Sequence, residues 1–256
     1  AVEVRQLART LAAKWTLARG AEARTRELEA LAHTLAHDLR SPLARVSAFG
    51  QLLAEELSGR QDKAGHYLDR MVCNASVAES LIEGLLRLAE IAQAPLRLVP
   101  LQLGAVVQQV VSELRQAEPQ RRVTVRVEPD LAVLGDAVLL PLAVRQLVEN
   151  AWKFSAGQGH TLIEVGRADA PAGHCVHYVR DNGCGFDMAD AGQLFQGFHR
   201  LHPPGDYSGA GVGLVTVGRV LARHGGRAWA QAAPGQGSTF YFSLPHPGQA
   251  AAAESP

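Results

Sequence analysis

The sequence predicts a helical hairpin followed by an α/β domain. Residues 1–93 hold one proline and carry apolar residues at helical spacing, whereas residues 95–248 hold alternating apolar runs divided by glycine and proline turns. The change of pattern at Ala94-Pro95 indicates a domain boundary. We expect four segments: an upstream signalling helix or linker over 1–25, the hairpin over 26–94, the α/β domain over 95–247 and a disordered tail over 248–256.

The composition excludes several classes of protein. The 25 basic and 25 acidic side chains cancel, so no net field favours nucleic acid or an anionic membrane. The three cysteines are too widely spaced for a disulfide framework or a zinc site. No run reaches the roughly 18 apolar residues that a membrane-spanning helix needs. We therefore expect a cytoplasmic segment that makes no membrane contact itself and that follows a sensor or an anchor in a longer chain.

The hairpin is predicted from apolar residues that recur every seven positions. One row is Leu28, Leu35, Pro42 and Phe49, and the second row is Ala32, Leu39, Val46 and Leu53. This recurrence is typical of helices packed in a bundle. The pattern breaks at Ser58 to Asp62, after which a second apolar stripe begins: Leu68, Met71, Val72, Ala75, Ala78, Ile82, Leu85 and Ala89.

Two helices bury too little of their apolar faces to be stable alone. We therefore expect two copies of the hairpin to pair into a four-helix bundle, which makes the protein a homodimer. Packing of the hairpin onto the second half of the same chain is the alternative.

The second half is predicted as a mixed sheet with helices. The expected strands are 123–127, 161–165, 177–180, 228–230 and 238–244, and the expected helices are 103–118, 137–154 and 213–224.

One histidine of the hairpin faces away from its apolar seam. Each residue turns a helix by about 100°, so His37 points outward when Leu35 and Leu39 lie in the seam. Pro42 cannot donate a backbone hydrogen bond and should bend the helix beside this histidine. Asp38 can accept a hydrogen bond from one ring nitrogen, which leaves the lone pair of the other nitrogen as a nucleophile.

The run His37-Asp38-Leu39-Arg40-Ser41-Pro42-Leu43 resembles the phosphoacceptor box of sensor histidine kinases. The resemblance implies that His37 is the phosphorylated residue and that Asp38 assists it. Ser41 occupies the position where this family usually carries a threonine or asparagine associated with phosphatase activity. His33, one turn earlier on the same face, is the rival acceptor, but it lacks the neighbouring acid and proline.

A polar stripe follows one face of the helix predicted over 137–154. Gln146, Asn150 and Lys153 share this face. The amide oxygen of Asn150 can ligate magnesium, and Lys153 can neutralise phosphate charge. A solvated helix face is the alternative. The segment resembles the N box of histidine kinases, and its ending Asn-Ala-Trp-Lys-Phe-Ser is similar to phytochrome-like members, although Gln146 stands where many members have an asparagine.

A glycine-rich loop follows the strand predicted to end at residue 180. In Asp181-Asn182-Gly183-Cys184-Gly185-Phe186, the glycines permit a flat ligand to approach the backbone. Asp181 can accept a hydrogen bond from the exocyclic amine of adenine, a donor that guanine does not present at that place. The same residues are also a common turn. The loop resembles the first glycine box of the family.

A second glycine-rich run leads directly into the last helix. Gly209, Gly211 and Gly213 precede Leu214, so backbone amides and the positive end of the helix dipole can face phosphates. The spacing fits neither the dinucleotide fingerprint nor the P-loop. It resembles the second glycine box of histidine kinases.

The segment between the two glycine boxes is similar to the F box of this family. It runs from Leu194 to Arg200, and a short lid over 201–208 should follow it. Phe198 is expected to pack beside the nucleotide. Arg200 is implied to reach the phosphates when the lid closes.

All five boxes occur in the family's order between about residues 25 and 245. The resemblance implies an α/β sandwich ATPase domain like that of gyrase and heat-shock chaperones, with ATP and Mg²⁺ as cofactors. It also implies a bacterial cytoplasm, an upstream sensor domain, and transfer of the phosphoryl group to a response-regulator receiver domain. An ATPase without phosphotransfer and a non-catalytic dimer scaffold are the two alternatives.

Overall fold

The computed structural model describes residues 39, 41–53, 55, 64–170, 174–195 and 211–245. The chain divides into two compact units, residues 1–85 and 86–256. Within the described ranges no helix is long and apolar enough to cross a membrane.

The first unit contains two packed helices, α1 (41–53) and the larger part of α2 (Ala64–Gln93). Arg45 Nε donates a hydrogen bond to Asn74 Oδ1 at 2.6 Å, and the rings of Phe49 and Tyr67 stack with centroids 6.2 Å apart. The predicted seam of α1 is confirmed over its described part, because the seam residues are the ones turned away from solvent: Leu39, Pro42, Val46, Phe49 and Leu53.

Four residues of the predicted stripe of α2 are exposed in the single chain. Ala75 is exposed, and Leu68, Val72 and Ile82 are 52%, 60% and 47% exposed. Helix α2 carries apolar residues on two faces, and α1 covers one face only. The first unit therefore leaves an apolar strip uncovered in the single chain.

The second unit is a layer of helices on a five-stranded sheet, with a small two-stranded sheet beside it. The larger sheet has the strand order β2-β4-β5-β7-β6, in which β2 and β4 are parallel and the other pairs antiparallel. Strands β1 and β3 form the antiparallel pair. The strands are β1 (Leu98–Gln102), β2 (Val123–Val127), β3 (Ala132–Asp136), β4 (Thr161–Ala168), β5 (His174–Asp181), β6 (Arg227–Ala232) and β7 (Ser238–Pro245).

The helices of this unit are α3 (Leu103–Ala117), α4 (Leu139–Phe154) and α5 (Gly213–Arg223), with a short 3-10 helix at Met188–Gln193. Alternate residues of the strands point to the helices and form the core. Val179 of β5 pairs with Val165 on one side and Phe240 on the other, and all three are buried. This alternation explains why the strands were recognisable in the sequence.

The structure differs from the sequence prediction in three unpredicted elements and in the start of one helix. Strands β1 and β3 and the 3-10 helix were not predicted. Helix α4 begins at Leu139 rather than 137, because Asp136 Oδ1 accepts hydrogen bonds from the backbone N–H groups of Val138 and Leu139. This carboxylate caps the helix and fixes its start.

The last turns of α2 belong by their contacts to the second unit. Ile91 is 2% exposed and lies in the core of that unit. Arg223, at the end of α5, donates hydrogen bonds to the carbonyl oxygens of Ile91 and Ala94. The C-terminus of α2 is thereby tied to α5, several residues before the boundary expected at Ala94-Pro95.

Candidate functional site

The carboxylate of Asp181 is buried in the second unit. It ends β5 and is 4% exposed. Its Oδ1 accepts a hydrogen bond from Gly183 N at 2.8 Å, and its Oδ2 accepts one from Ser238 Oγ at 2.6 Å. Burial raises the pKa of this carboxyl, although the hydrogen bonds from Ser238 and Gly183 act in the opposite direction. The donors hold the carboxylate in a single orientation.

The loop after Asp181 is packed against the end of α4. Cys184 N donates to the carbonyl oxygen of Phe154 at 3.1 Å, and a Cβ built on Gly183 would lie 2.5 Å from the same oxygen. At Gly185, which has φ +61°, a Cβ would lie 2.0 Å from the carbonyl oxygen of Ala233. Contacts within the protein therefore require glycine at both positions, in addition to any ligand that approaches the loop.

Helix α4 presents the predicted polar stripe. Gln146, Asn150 and Lys153 are all half-buried. Lys153 Nζ lies 4.5 Å from the ring centroid of Phe154. Within the described ranges no group hydrogen-bonds to the side-chain amide of Asn150. Its oxygen is therefore available to a ligand from outside the chain.

Helix α5 begins without a side-chain cap among the described residues. Val212 precedes it and makes no capping hydrogen bond, and Gly211 has φ +77°. The first-turn amides of α5 and its positive dipole end therefore face a possible anion. Gly213 and Leu214, the first two residues of α5, are half-buried.

The loop after Asp181 and the start of α5 both contact α4, on either side of its polar face. The loop at Gly183 contacts the carbonyl end of α4, and Gly213 contacts Gln146, two turns earlier on the same helix. The polar face with Asn150 runs between these two contacts. The candidate site therefore has the buried carboxylate of Asp181 at one end and the first-turn backbone amides of α5 at the other.

Five predicted site residues lie outside the described residues, so their positions are not part of this geometry: His37, Asp38, Phe198, Arg200 and Gly209. The rival His33 lies outside them as well.

Sequence reasoning missed two residues that hold Asp181. Ser238 donates to the carboxylate, and a Cβ on Gly237 (φ +80°) would lie 2.1 Å from the carbonyl oxygen of Asp181. Both residues belong to the turn and strand start that follow β6. A glycine followed by a serine is too common in turns to indicate this role.

Two family profiles match the chain. The His Kinase A (phospho-acceptor) domain matches residues 27–94, and the Histidine kinase-, DNA gyrase B-, and HSP90-like ATPase family matches residues 135–248. A phosphoacceptor hairpin followed by this ATPase fold decides the family. The chain belongs to the sensor histidine kinases. The predicted family and fold class are thereby confirmed.

The kinase core is similar to long regulatory proteins. It is 32% identical over 230 residues to the phytochrome-like protein Cph1 of Synechocystis, which corresponds to 90% of this chain and 30% of the relative. It is 31% identical over 229 residues to the methanogenesis regulatory histidine kinase FilI of Methanothrix harundinacea, or 88% of this chain and 25% of that one. The chain thus spans about a third or less of these curated relatives.

Solved structures have the same architecture. Full-length ShkA in complex with AMPPNP matches with a TM-score of 0.54 and 25% identity over 85% of this kinase core and 45% of that chain. The histidine kinase AdeS of Acinetobacter baumannii matches with a TM-score of 0.55, 82% of this chain and 97% of that one, at 19% identity. The second likeness concerns the fold alone.

Proposed function

We propose that this kinase core transfers the γ-phosphoryl group of magnesium-ATP to its own His37 and then to an aspartate of a response-regulator receiver domain. The observation that carries the proposal is the buried carboxylate of Asp181, oriented by Ser238 beside the glycine-rich loop. His37 lies within residues 27–94, which match the phosphoacceptor domain, and this supports a histidine of the hairpin as the acceptor.

Asp181 selects adenine in this proposal. The exocyclic amine of adenine donates a hydrogen bond, whereas guanine has a carbonyl oxygen at the equivalent position. A carboxylate held by three donor groups of Gly183 and Ser238 keeps its remaining lone pairs in one direction, which favours the amine and disfavours the carbonyl. Gly183 and Gly185 allow the loop to pack closely on the protein, and Gly183 N donates to Asp181 Oδ1.

The phosphates lie at the N-terminus of α5. The absence of a side-chain cap among the described residues leaves backbone donors of Gly213 and Leu214 for phosphate oxygens. Gly211 precedes these donors with φ +77°. Lys153 of α4 and Arg200 of the lid balance the remaining negative charge.

Asn150 is the magnesium ligand of the chain. Its amide oxygen is a hard donor without a competing hydrogen bond in the described part of the chain. Mg²⁺ keeps several waters and commonly takes one or two protein ligands together with phosphate oxygens, so a single amide fits it. The metal supplies charge compensation on the phosphates when it is bound.

The transfer step uses the hairpin. A ring nitrogen of His37 attacks the γ-phosphorus, and the bond from that phosphorus to the bridging oxygen breaks, so ADP leaves with the bonding electrons. Asp38 accepts a hydrogen bond from the proton on the other ring nitrogen and stabilises the positive charge that develops. The products are phosphohistidine and ADP.

The working form is a homodimer in this proposal. The strip on α2 with Leu68, Val72 and Ile82 is uncovered in one chain, and a four-helix bundle would bury it. The receiver domain would dock on the exposed bundle surface around Arg40, Arg45 and the second helix. An upstream sensor domain and a cytoplasmic location, where ATP is available, complete the proposal.

The proposal is tested by labelling the purified chain with γ-labelled ATP. We expect a protein-bound label that acid removes and alkali does not, as phosphohistidine requires. Hydrolysis of ATP without label would instead identify an ATPase that moves no phosphoryl group to itself. Failure to bind ATP at millimolar concentration would identify a non-catalytic scaffold.

A further inference from the structure

Gln146 lies where the two phosphate-facing helices meet. It shares the polar face of α4 with Asn150, which follows one turn later. A Cβ built on Gly213, the first residue of α5, would lie 2.4 Å from Gln146 Oε1. The amide oxygen therefore occupies the space directly beside the start of α5.

The nitrogen of the Gln146 side-chain amide also makes a hydrogen bond. Its Nε2 donates a hydrogen bond to Glu149 Oε2 at 3.0 Å, and Glu149 in turn accepts a hydrogen bond from Arg145 at 3.5 Å. These bonds hold the amide in one orientation, with its oxygen toward α5. An acceptor oxygen is favourable at this place because the N-terminus of a helix carries partial positive charge.

We propose that Gln146 is a positioning residue that sets the separation between α4 and the N-terminus of α5, and that it is not a magnesium ligand. The inference rests on the proposed ATP site and assigns a role within it. In the proposed function, Asn150 on α4 binds the magnesium ion and the backbone amide of Gly213 on α5 binds a phosphate oxygen of the same ATP molecule. The Gln146 amide lies beside both groups, where α4 and α5 approach each other, in addition to the packing of the two helices in the core.

Gln146 and Gly213 form a matched pair on this account. A methyl group at position 213 would meet Gln146 Oε1, so the amide at the far end of this flexible side chain would have to turn away from α5. Shortening Gln146 would open space for that methyl group. The cost of a change at one position should therefore depend on the residue at the other.

The pair is tested by a double-mutant cycle on ATP affinity. The variants are Gln146→Ala, Gly213→Ala and the double variant, each checked for folding by circular dichroism. Gly213→Ala should weaken ATP binding by about two- to fivefold, because the Gln146 amide must turn, and the added Gln146→Ala should restore part of that loss. Gly104→Ala is the matched control, since Gly104 lies in the first turn of α3 and a Cβ there would meet only Val127 Cγ1 at 3.5 Å.

The role of the amide is tested by comparing affinities with and without Mg²⁺. Gln146→Ala should keep the magnesium-dependent gain in ATP affinity, whereas Asn150→Ala should lose it. Loss of that gain in Gln146→Ala would make Gln146 a ligand and overturn the proposal. A double variant no tighter than Gly213→Ala alone would also overturn it.

The same measurements separate this proposal from the proposed function. If no variant and no wild-type chain binds ATP, the proposed function fails and the positioning role fails with it. If ATP binds and Asn150→Ala keeps the magnesium-dependent gain, the assignment of Asn150 fails alone. Coupling between Gln146 and Gly213 would still stand in that case.

Discussion

The guanidinium group of Arg121 lies 4.8 Å from the ring centroid of Trp152 and donates a hydrogen bond to the carbonyl oxygen of the same residue. It also reaches Ser155 Oγ at 3.3 Å and Thr161 Oγ1 at 3.2 Å. The indole N–H of Trp152 donates to Glu118 Oε1 at 2.8 Å. One side chain thus closes the C-terminal end of α4, the helix that carries Asn150 and Lys153.

Replacement of Arg121 should destabilise the second unit. Arg121→Met removes the donor to a buried carbonyl oxygen and the cation–π contact, which together cost about 2 to 4 kcal/mol. We expect a lower midpoint of urea unfolding, followed by far-ultraviolet circular dichroism. Arg122→Met is the control, because Arg122 is exposed and should unfold as the wild type does. An unchanged midpoint for Arg121→Met would show that the contacts of Arg121 with the end of α4 do not stabilise the unit.

His177 should make stability depend on pH. It is 1% exposed, its Nδ1 has no hydrogen-bond partner, and its ring stacks 5.2 Å from Phe242. Burial lowers the pKa of this imidazole to about 4, with the positive charge of Arg167 acting in the same direction and Glu128 opposing it. The unfolded chain, with a histidine pKa of about 6.5, therefore binds the extra proton first.

The sign of the effect follows from that difference. Above pH 6.5 His177 is neutral in both the folded and the unfolded chain, so its burial costs no stability from protonation. As the pH drops from about 6.5 to 4, the free energy of unfolding falls by a total on the order of 3 kcal/mol. In His177→Phe, the midpoint of urea unfolding should change less with pH across this range than it does in the wild type. His160→Phe is the control, because His160 is exposed. If the midpoint changes equally with pH in the wild type and in His177→Phe, His177 is not the group that makes stability depend on pH.

Asp181 should control nucleotide affinity. Asp181→Asn removes the charge and can turn a donor toward the adenine amine, so ATP should bind roughly ten to a hundred times more weakly, as measured by calorimetry. Asp130→Asn is the control: Asp130 is exposed in a turn with φ +56°, a backbone that asparagine tolerates. A folded Asp181→Asn protein with wild-type affinity would remove Asp181 from the adenine site.

The raised pKa of Asp181 gives the same variant a second signature. A carboxyl whose pKa is raised on folding opposes folding at pH values above its unfolded pKa, where the carboxylate is ionised. Asp181→Asn should therefore unfold at a higher urea concentration than wild type when nucleotide is absent at neutral pH. A lower midpoint would mean that the hydrogen bonds from Ser238 and Gly183 outweigh burial.

The uncovered strip on α2 should hold the dimer together. Val72 is 60% exposed in the single chain, and Val72→Glu would bury a charge in the expected bundle. We expect the dimer dissociation constant to rise at least about a hundredfold in sedimentation velocity. Val138→Glu is the control, since Val138 is 74% exposed on the second unit. Equal dissociation constants for the two variants would argue against this interface.

The sequence predicted the helices and the five strands of the large sheet because their burial is periodic. Strand β2, for example, runs from Val123 to Val127 as expected. Strand β1 was missed because it is exposed over most of its length and contains Pro100, which is uncommon in strands. Its partner β3 becomes a strand only through the antiparallel pairing across a long stretch of chain.

Candidate site residues could be proposed from the sequence where the residue type itself suggests the chemistry, and not where only packing in the fold gives the residue its role. Asp181, Asn150 and Lys153 stand out by charge or amide at spaced positions. Ser238 and the Gln146–Gly213 contact depend on distant segments that meet only in the fold. No local pattern in the sequence distinguishes such residues from ordinary turn or helix residues.

The central claim is that His37, and not His33, receives the phosphoryl group. The direct measurement is labelling of purified His37→Gln and His33→Gln with γ-labelled ATP, next to a nucleotide-binding assay on each variant. His37→Gln should lose all acid-labile label while its ATP affinity and dimerisation stay nearly unchanged, because an outward position on a helix contributes little packing. His33→Gln should keep substantial label. Persistent acid-labile label on His37→Gln, or its loss only in His33→Gln, would contradict the account.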